Sequence, residues 1–226
     1  MGNEVTPISV AFYIVPLMNA LIRVGTQDEK ERLFLALING HKEVPCNKRG
    51  AKGTTEEVAI ESLRECTNAK SKQNRITDQM VEELEQKILK YDLLENKILF
   101  IRLEEEDYPS EVNGLCAMKL ASKYKHPTIL ARLNNDGYDK GSIRNVSDCE
   151  LKDLKAFLNN SGYFEWVQGH ASAAGACIKD SNLRAFHEYA NKALKDIDFN
   201  EGVYTANFER NAEAYDLKDL IIDLGS

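Results

Sequence analysis

The stretch "FEWVQGHASAAGACI" (residues 164–178) breaks a strand-like pattern with a glycine, a histidine and a run of tiny side chains. Consecutive small residues let backbone approach backbone, or let backbone approach a ligand. Gly169 and Gly175, four alanines and Ser172 lie within "QGHASAAGA". Accessible N–H groups there would form an anion-binding nest, with the adjacent histidine adding a hydrogen bond. The competing expectation is that the small side chains serve only tight strand–helix packing.

Strands alternate with helices around this stretch. "KILFIRLE" (97–104), "PTILARLN" (127–134) and "GYDKGSIRN" (137–145) read as strands, the last entered through the turn signal Asn135-Asp136-Gly137. "SEVNGLCAMKLASKY" (110–124) reads as a helix with Ser110 as N-cap. Residues 147–162 read as a helix capped by Ser147, with Glu150 in the capping-box position and Gly162 closing it. A further helix is expected at 181–195, and the tail 203–226 reads as one more strand and a short helix. This alternation predicts an α/β domain.

Upstream the pattern is helical. Leu33, Leu35, Ala36, Leu37 and Ile38 predict a buried helix, and the Gly-, Lys- and Arg-rich residues 40–53 a flexible loop. Thr54 with Glu57 fits a capping box that would start the next helix. Leu63, Cys66, Ile76, Met80, Leu84 and Ile88 fall near one stripe of it, and no Pro or Gly occurs between Gly53 and Tyr91. Unbroken, such a helix of about 35 residues spans about 50 Å. A break near Asn74–Asp78 is the alternative.

The 226 residues carry a net charge of −7, with 43% hydrophobic and 29% charged residues, which fits one or two globular domains. The acidity argues against a general polyanion binder and leaves room for a local basic groove from 41–53, from Lys70, Lys72 and Arg75, or from 119–125. No apolar run of membrane-spanning length is expected. Glu4 before the first apolar stretch and Arg23 after it do not fit a secretion signal. Five scattered cysteines without a C-x-x-C pair read as reduced thiols of a cytoplasmic protein. The four histidines have no metal-ligand spacing, the Asp196-Ile-Asp198 pair has no histidine beside it, and no nucleophile elbow occurs. The lone Arg144 at a strand end suits either solvent or a phosphate.

Four segments, in order, resemble the C-terminal half of RecJ, the single-strand-specific exonuclease of the DHH phosphoesterase superfamily. "VPLMNALIRVG" (15–25) is similar to the element closing the family's catalytic domain, and "TNAKSKQNR" (67–75) to a polar run in its connector helix. "EVNGLCAMKLASKYKHPTILARLN" (111–134) is like the family's G-[IL]-x-A-x-x-L-x-x-x-[YF]-x-x-P-x-[IV] segment. "GSIRN" (141–145) followed by "QGHASAAG" is like its G-S-x-R-S and G-G-H-x-x-A-A-G. Three positions depart: Gln168 replaces a glycine, Asn145 a serine and Ile22 a glycine.

The resemblance implies an α/β fold in which a long connector helix leads to a DHH-associated domain, a mixed β-sheet flanked by helices. Residues 1–53 would end the catalytic DHH domain, 54–95 form the connector, 96–200 the substrate-binding domain, and 201–226 begin a following segment. Arg144, Gly169 and His170, supported by Ser142 and Asn145, would bind a substrate phosphate. Asn19 and Arg23 would lie at the domain junction. Donors fixed there would stabilise charge developing during phosphodiester hydrolysis. The Mn²⁺ or Mg²⁺ site of the complete enzyme would lie in a catalytic DHH domain whose aspartates and Asp-His-His triplet are not matched here, so this chain alone is expected to bind no metal and hydrolyse nothing. The function implied is the substrate-binding half of a 5′→3′ single-stranded DNA exonuclease, possible in phage replication, DNA repair or recombination. A DHH phosphoesterase for short oligonucleotides or cyclic dinucleotides, and a non-catalytic RecJ-like scaffold, are the alternatives.

Overall fold

The computed structural model describes residues 5–51, 53–103 and 108–200. The expected strand and helix of the tail lie outside them. Thr6 caps helix α1 (Pro7–Ser9), which continues through a π-helical turn at Val10–Ile14 into α2 (Val15–Val24). Contrary to the sequence expectation, the combined run Pro7–Val24 is long and apolar enough, by length and composition, to cross a membrane. Its second half is instead used for packing: Ala20, Leu21 and Val24 are buried, while Ile8, Phe12 and Tyr13 are exposed.

Helix α3 (Gln27–Ile38) opens with a capping box: Glu29 N–H donates to Thr26 Oγ1 at 3.3 Å and Thr26 N–H to Glu29 Oε2 at 2.6 Å. The expected buried helix is only partly so. Leu33 is buried, but Leu37 and Ile38 are exposed beside Phe34, because one side alone of α3 meets the core. Residues 40–57 are not a loop ending in a cap. Strands β1 (Glu43–Pro45) and β2 (Thr55–Glu57) pair antiparallel. Thr54 Oγ1 donates to Ala51 O at 2.8 Å, and Glu57 Oε1 lies 3.1 Å from His41 Nδ1, so the two do not form a capping box. Helix α4 therefore starts later, at Val58, and runs unbroken for 33 residues to Lys90, about 50 Å. Its buried stripe passes through Ser62, Cys66, Ala69, Gln73, Thr77, Met80, Leu84 and Ile88, which leaves Leu63 outside and exposed.

The rest builds a five-stranded mixed sheet flanked by helices, as the resemblance implied. Its elements are β3 (Leu99–Arg102), α5 (Asn113–Tyr124), β4 (Thr128–Leu133), β5 (Tyr138–Arg144), α6 (Leu154–Asn160), β6 (Phe164–His170), β7 (Ala173–Lys179) and α7 (Leu183–Ala193). Strand order is β3-β4-β5-β7-β6, with β3 and β4 parallel and every other pair antiparallel. Two caps differ from expectation. Ser110 begins a 3-10 turn and does not cap α5. Residues 147–153 are a loop, since the Asn145 side chain holds Leu151 O (2.6 Å) and Val146 N (3.0 Å), and Asp148 takes a left-handed conformation. Asp153 caps α6 instead, accepting from Ala156 N–H at 2.7 Å.

Side chains alternate across the sheet. One face, with Phe100, Ile129, Ile143, Ala174, Ala176 and Ile178, packs against Leu154 and Leu158 of α6 and Phe186 and Ala190 of α7. On the other face Leu99, Ile101 and Leu130 join a second core with α4 and α5 that also includes Leu21 and Val24 of α2. The long helix is thus packed into the sheet's own core. Lys119 and Lys123 of α5 reach Asp78 (2.6 Å) and Glu85 (2.5 Å) of α4, which neutralises much of the basic 119–125 segment.

At Gly141, opposite Ala131, β5 comes so close to β4 that a Cβ would collide with the Leu130 carbonyl. Gly141→Ala is expected to destabilise by about 2–3 kcal/mol, lowering the melting temperature by roughly 5–10 °C. Thermal unfolding followed by circular dichroism measures it, and an unchanged midpoint would show that the two strands can part at no cost.

Candidate nucleic-acid interface

The opening stretch folds as the β6–β7 hairpin, and β7 runs between β5 and β6. Register then sets the site. Arg144 pairs with Ala173, and Ala173 with His170; Ser142 pairs with Gly175, and Gly175 with Gln168. Directly paired residues share a face. Arg144, Ala173 and His170 therefore form one row, and Ser142, Gly175 and Gln168 the next, on the face opposite the α6–α7 core. On the other face Ala174 and Ala176 are buried.

The anion-nest expectation does not hold at Ala174–Ala176. These residues have a neighbouring strand on both sides, so their N–H groups belong to the ladders. What the small side chains leave is a low floor. Ala173 and Gly175 are half-buried, while Gln168, Gly169 and His170 along its edge are exposed. Gly169 has φ +137°, and a Cβ there would meet Ala174 Cα at 2.7 Å. Its glycine is explained by backbone geometry and close strand approach.

Arg144 is half-buried. Its guanidinium lies over Gly114 in the first turn of α5, where a Cβ would collide with it. Nη1 donates to Ile143 O at 2.6 Å. Burial, and then repulsion from Arg23 on α2, push its pKa down. The packing of α2 has thus brought a second cation within electrostatic reach. Among the described residues neither arginine holds a carboxylate. Three other half-buried arginines differ. Arg32 holds Glu65 (2.6 Å), Arg64 holds Glu56 and Glu61 (both 2.5 Å), and Arg102 holds Asp139 (2.6 Å) and Asp180. Two cations within electrostatic reach of each other and without a carboxylate attract an anion.

The remaining expected residues divide. Ser142 lies in the second row. Asn145 is used structurally: its N–H donates to Ser172 O at 2.9 Å and ties β5 to the hairpin tip, while its carboxamide holds the 146–151 loop. Asn19 is exposed on α2. Lys155 Nζ lies 3.3 Å from Gly169 O and adds positive charge at the tip. Gly114 has no role that the sequence alone reveals. Its signal is a glycine inside a helical pattern, which costs about 1 kcal/mol relative to alanine and so asks for a local reason.

Metal fits these residues poorly. The cluster with metal-ligand proximity among the described residues is Cys46, Glu56 and Glu61, and Arg64 already occupies both carboxylates. The arginine–histidine row contains no carboxylate. Burial pushes the Cys116 thiol up to about 11 and also raises Cys66, Cys149 and Cys177, so these are not nucleophilic thiolates at neutral pH.

Gly114→Ala separates site from fold. Alanine favours the helix by up to about 1 kcal/mol, while its Cβ displaces the Arg144 guanidinium. We expect an unchanged or raised melting temperature together with loss of the stabilisation that inorganic phosphate or sulfate gives the unaltered protein, measured by differential scanning fluorimetry.

No family model matches the chain. It is 38% identical over 218 residues to YorK, a protein derived from the SPbeta prophage of Bacillus subtilis (strain 168) that carries the name of a single-strand DNA-specific exonuclease. That match covers 94% of this chain and 37% of YorK, and the Bacillus phage SPbeta protein matches equally. The single-stranded-DNA-specific exonuclease RecJ of Haemophilus influenzae is 24% identical over 133 residues, 56% of this chain and 23% of its own length. Thermus thermophilus RecJ solved with Mn²⁺ superposes with a TM-score of 0.55 at 18% identity, covering 88% of this chain and 26% of RecJ. Its Mg²⁺ complex gives 0.54 at 17%, over 96% and 30%. The chain thus spans little more than a third of YorK and less than a third of these two RecJ proteins. Over that span, in sequence and in fold, it is a RecJ-like chain related to single-strand DNA-specific exonucleases.

Proposed function

We propose that this chain is the substrate-binding part of a RecJ-like single-stranded DNA exonuclease, and that Arg144 and Arg23 hold a backbone phosphate with His170 at the far end of the same row. In this reading residues 1–53 close a catalytic DHH domain, 54–95 connect, and 96–200 grip the strand. The divalent metal site lies in the catalytic domain. The observation that carries the reading is the Arg144 guanidinium, half-buried over Gly114, within electrostatic reach of Arg23 and holding no carboxylate. A half-buried cation without a counter-ion is costly, and a phosphate oxygen offsets that cost with charge-assisted hydrogen bonds. The flat floor of Ala173 and Gly175 lets an extended backbone lie between Arg144 and His170.

Arg144→Ala removes charge-assisted bonds of about 1.5–3 kcal/mol and should weaken binding of a labelled oligo-dT by about 10- to 100-fold. The dependence of affinity on salt should become shallower by roughly 0.7 for each phosphate that the variant no longer neutralises. Fluorescence anisotropy at matched folded concentration measures both. Affinity that survives Arg144→Ala and His170→Ala would overturn the clamp.

The purified 226-residue chain with Mn²⁺ is expected to release no nucleotide from labelled single-stranded DNA, because the residues at the clamp supply cations and no carboxylate to hold a divalent metal. Chelator-sensitive cleavage by this chain would show that it carries a metal site of its own.

A further inference from the structure

The chain's single tryptophan, Trp166, lies on the clamp face because the strand that carries it is irregular. Residues two apart in a regular strand point the same way. Phe164 and Trp166 do not, because β6 changes register between them: Phe164 pairs with Ile178, and Trp166 with Cys177. Phe164 turns toward α7 and meets Phe186 edge-on at 4.8 Å. Trp166 turns to the opposite face, where Cζ3 lies 3.4 Å from the point a Gly175 Cβ would occupy. A bulge of this kind re-aims a side chain, and such bulges recur beside functional sites.

The ring leans over the Gly175 row, one row from Arg144, Ala173 and His170, which is about 7 Å along the strands. Gly175 is the residue that leaves room beneath it. Trp166 stays 37% exposed although Cys177, its paired residue, is buried. Lys140, paired with Cys177 from the other side, is exposed on the same face. A flat, partly open aromatic surface therefore borders a floor that carries cations and no carboxylate in its two clamp rows.

We infer that Trp166 stacks a nucleobase of the single strand whose phosphate is held by Arg144 and Arg23. The inference rests on the phosphate-clamp reading and adds a base contact to it. Aromatic side chains beside a cationic track take bases by their π-faces, which is sequence-tolerant and suits an enzyme that must pass every base. Duplex DNA keeps its bases stacked inside and offers none to the ring, so this contact favours single strands. The clamp fixes phosphate position, and the indole reads strandedness.

The test uses two oligonucleotides of equal length, one of thymidines and one of abasic deoxyribose phosphates, with the 226-residue chain. Both offer phosphates, and one offers bases. Binding of oligo-dT should quench the emission of Trp166, the sole indole, and binding of the abasic strand should not. Trp166→Ala should weaken oligo-dT binding roughly 5- to 100-fold and leave the abasic strand unchanged, and Trp166→Phe should recover much of the affinity. If both strands bind the unaltered chain equally, depend on Arg144 and leave the emission unchanged, the base contact is wrong and the clamp stands. If neither strand binds, or binding ignores Arg144, the clamp fails and the base contact fails with it. Quenching in the unaltered chain decides the matter even where Trp166→Ala does not fold.

Discussion

The register of β7 between β5 and β6 is the constraint on which the site depends. It places Arg144, Ala173 and His170 in one row and Ser142, Gly175 and Gln168 in the next. Because side chains alternate, a slip of β7 by one residue would turn Ala173 and Gly175 toward the α6–α7 core and Ala174 and Ala176 away from it. Several features hold the register. Gly141 admits the close approach of β4, Gly169 admits that of Ala174, and Asn145 N–H ties the end of β5 to Ser172 O at the tip of the hairpin. The same alternation answers the question raised by the small-residue run. Ala174 and Ala176 are small because they pack against helices; Ala173 and Gly175, on the other face, keep a floor low. Packing and access are both served, by alternate residues of one strand.

Electrostatics explains how an acidic chain can carry such a floor. Elsewhere the molecule neutralises three half-buried arginines locally: Arg32 on Glu65, Arg64 on Glu56 and Glu61, Arg102 on Asp139. Lys119 and Lys123 are drawn to α4 in the same way. Arg144 departs from the pattern. Its burial and its like-charged neighbour both depress its pKa, and neither is compensated by a carboxylate. A fold built only for stability would place an acid there. The net charge of −7 is therefore a poor guide to the local field at the sheet.

The sheet was legible in the sequence because its strands are apolar, short and punctuated by turns, and the hairpin at 134–138 carries its own side-chain turn, Asn134 Oδ1 accepting from Tyr138 N–H at 2.8 Å. The helix starts were less so. Thr54-x-x-Glu57 and Ser147-x-x-Glu150 both have capping-box spacing, yet β-pairing took the first and the Asn145 side chain held the second in a loop. A local motif yields when tertiary hydrogen bonds compete for the same groups. In the candidate site, Arg144, Gly169 and His170 could be named from the family resemblance, but the contact of Arg144 with Gly114 spans thirty positions and left only an unexplained helical glycine as its trace. Trp166 was hidden for another reason. Period-two reading assigns it the same face as Phe164, and one bulge reverses that.

The pairing of Arg23 with Arg144 joins the two halves of the chain. Arg23 stands on α2 beside Leu21 and Val24, which belong to the same core as Leu99, Ile101 and Leu130 of the sheet. The distance between the two cations is thus set by hydrophobic packing, not by any attraction between them, since each repels the other. Lys72 Nζ, donating to Val24 O at 3.1 Å, fixes the end of α2 to α4 at this point. Two arginines kept in place by a shared core would need no rearrangement to receive the proposed phosphate, which is the condition for binding without a large ordering cost. The long helix is then more than a spacer. By sharing its core with both α2 and the sheet, it keeps the two arginines at one site.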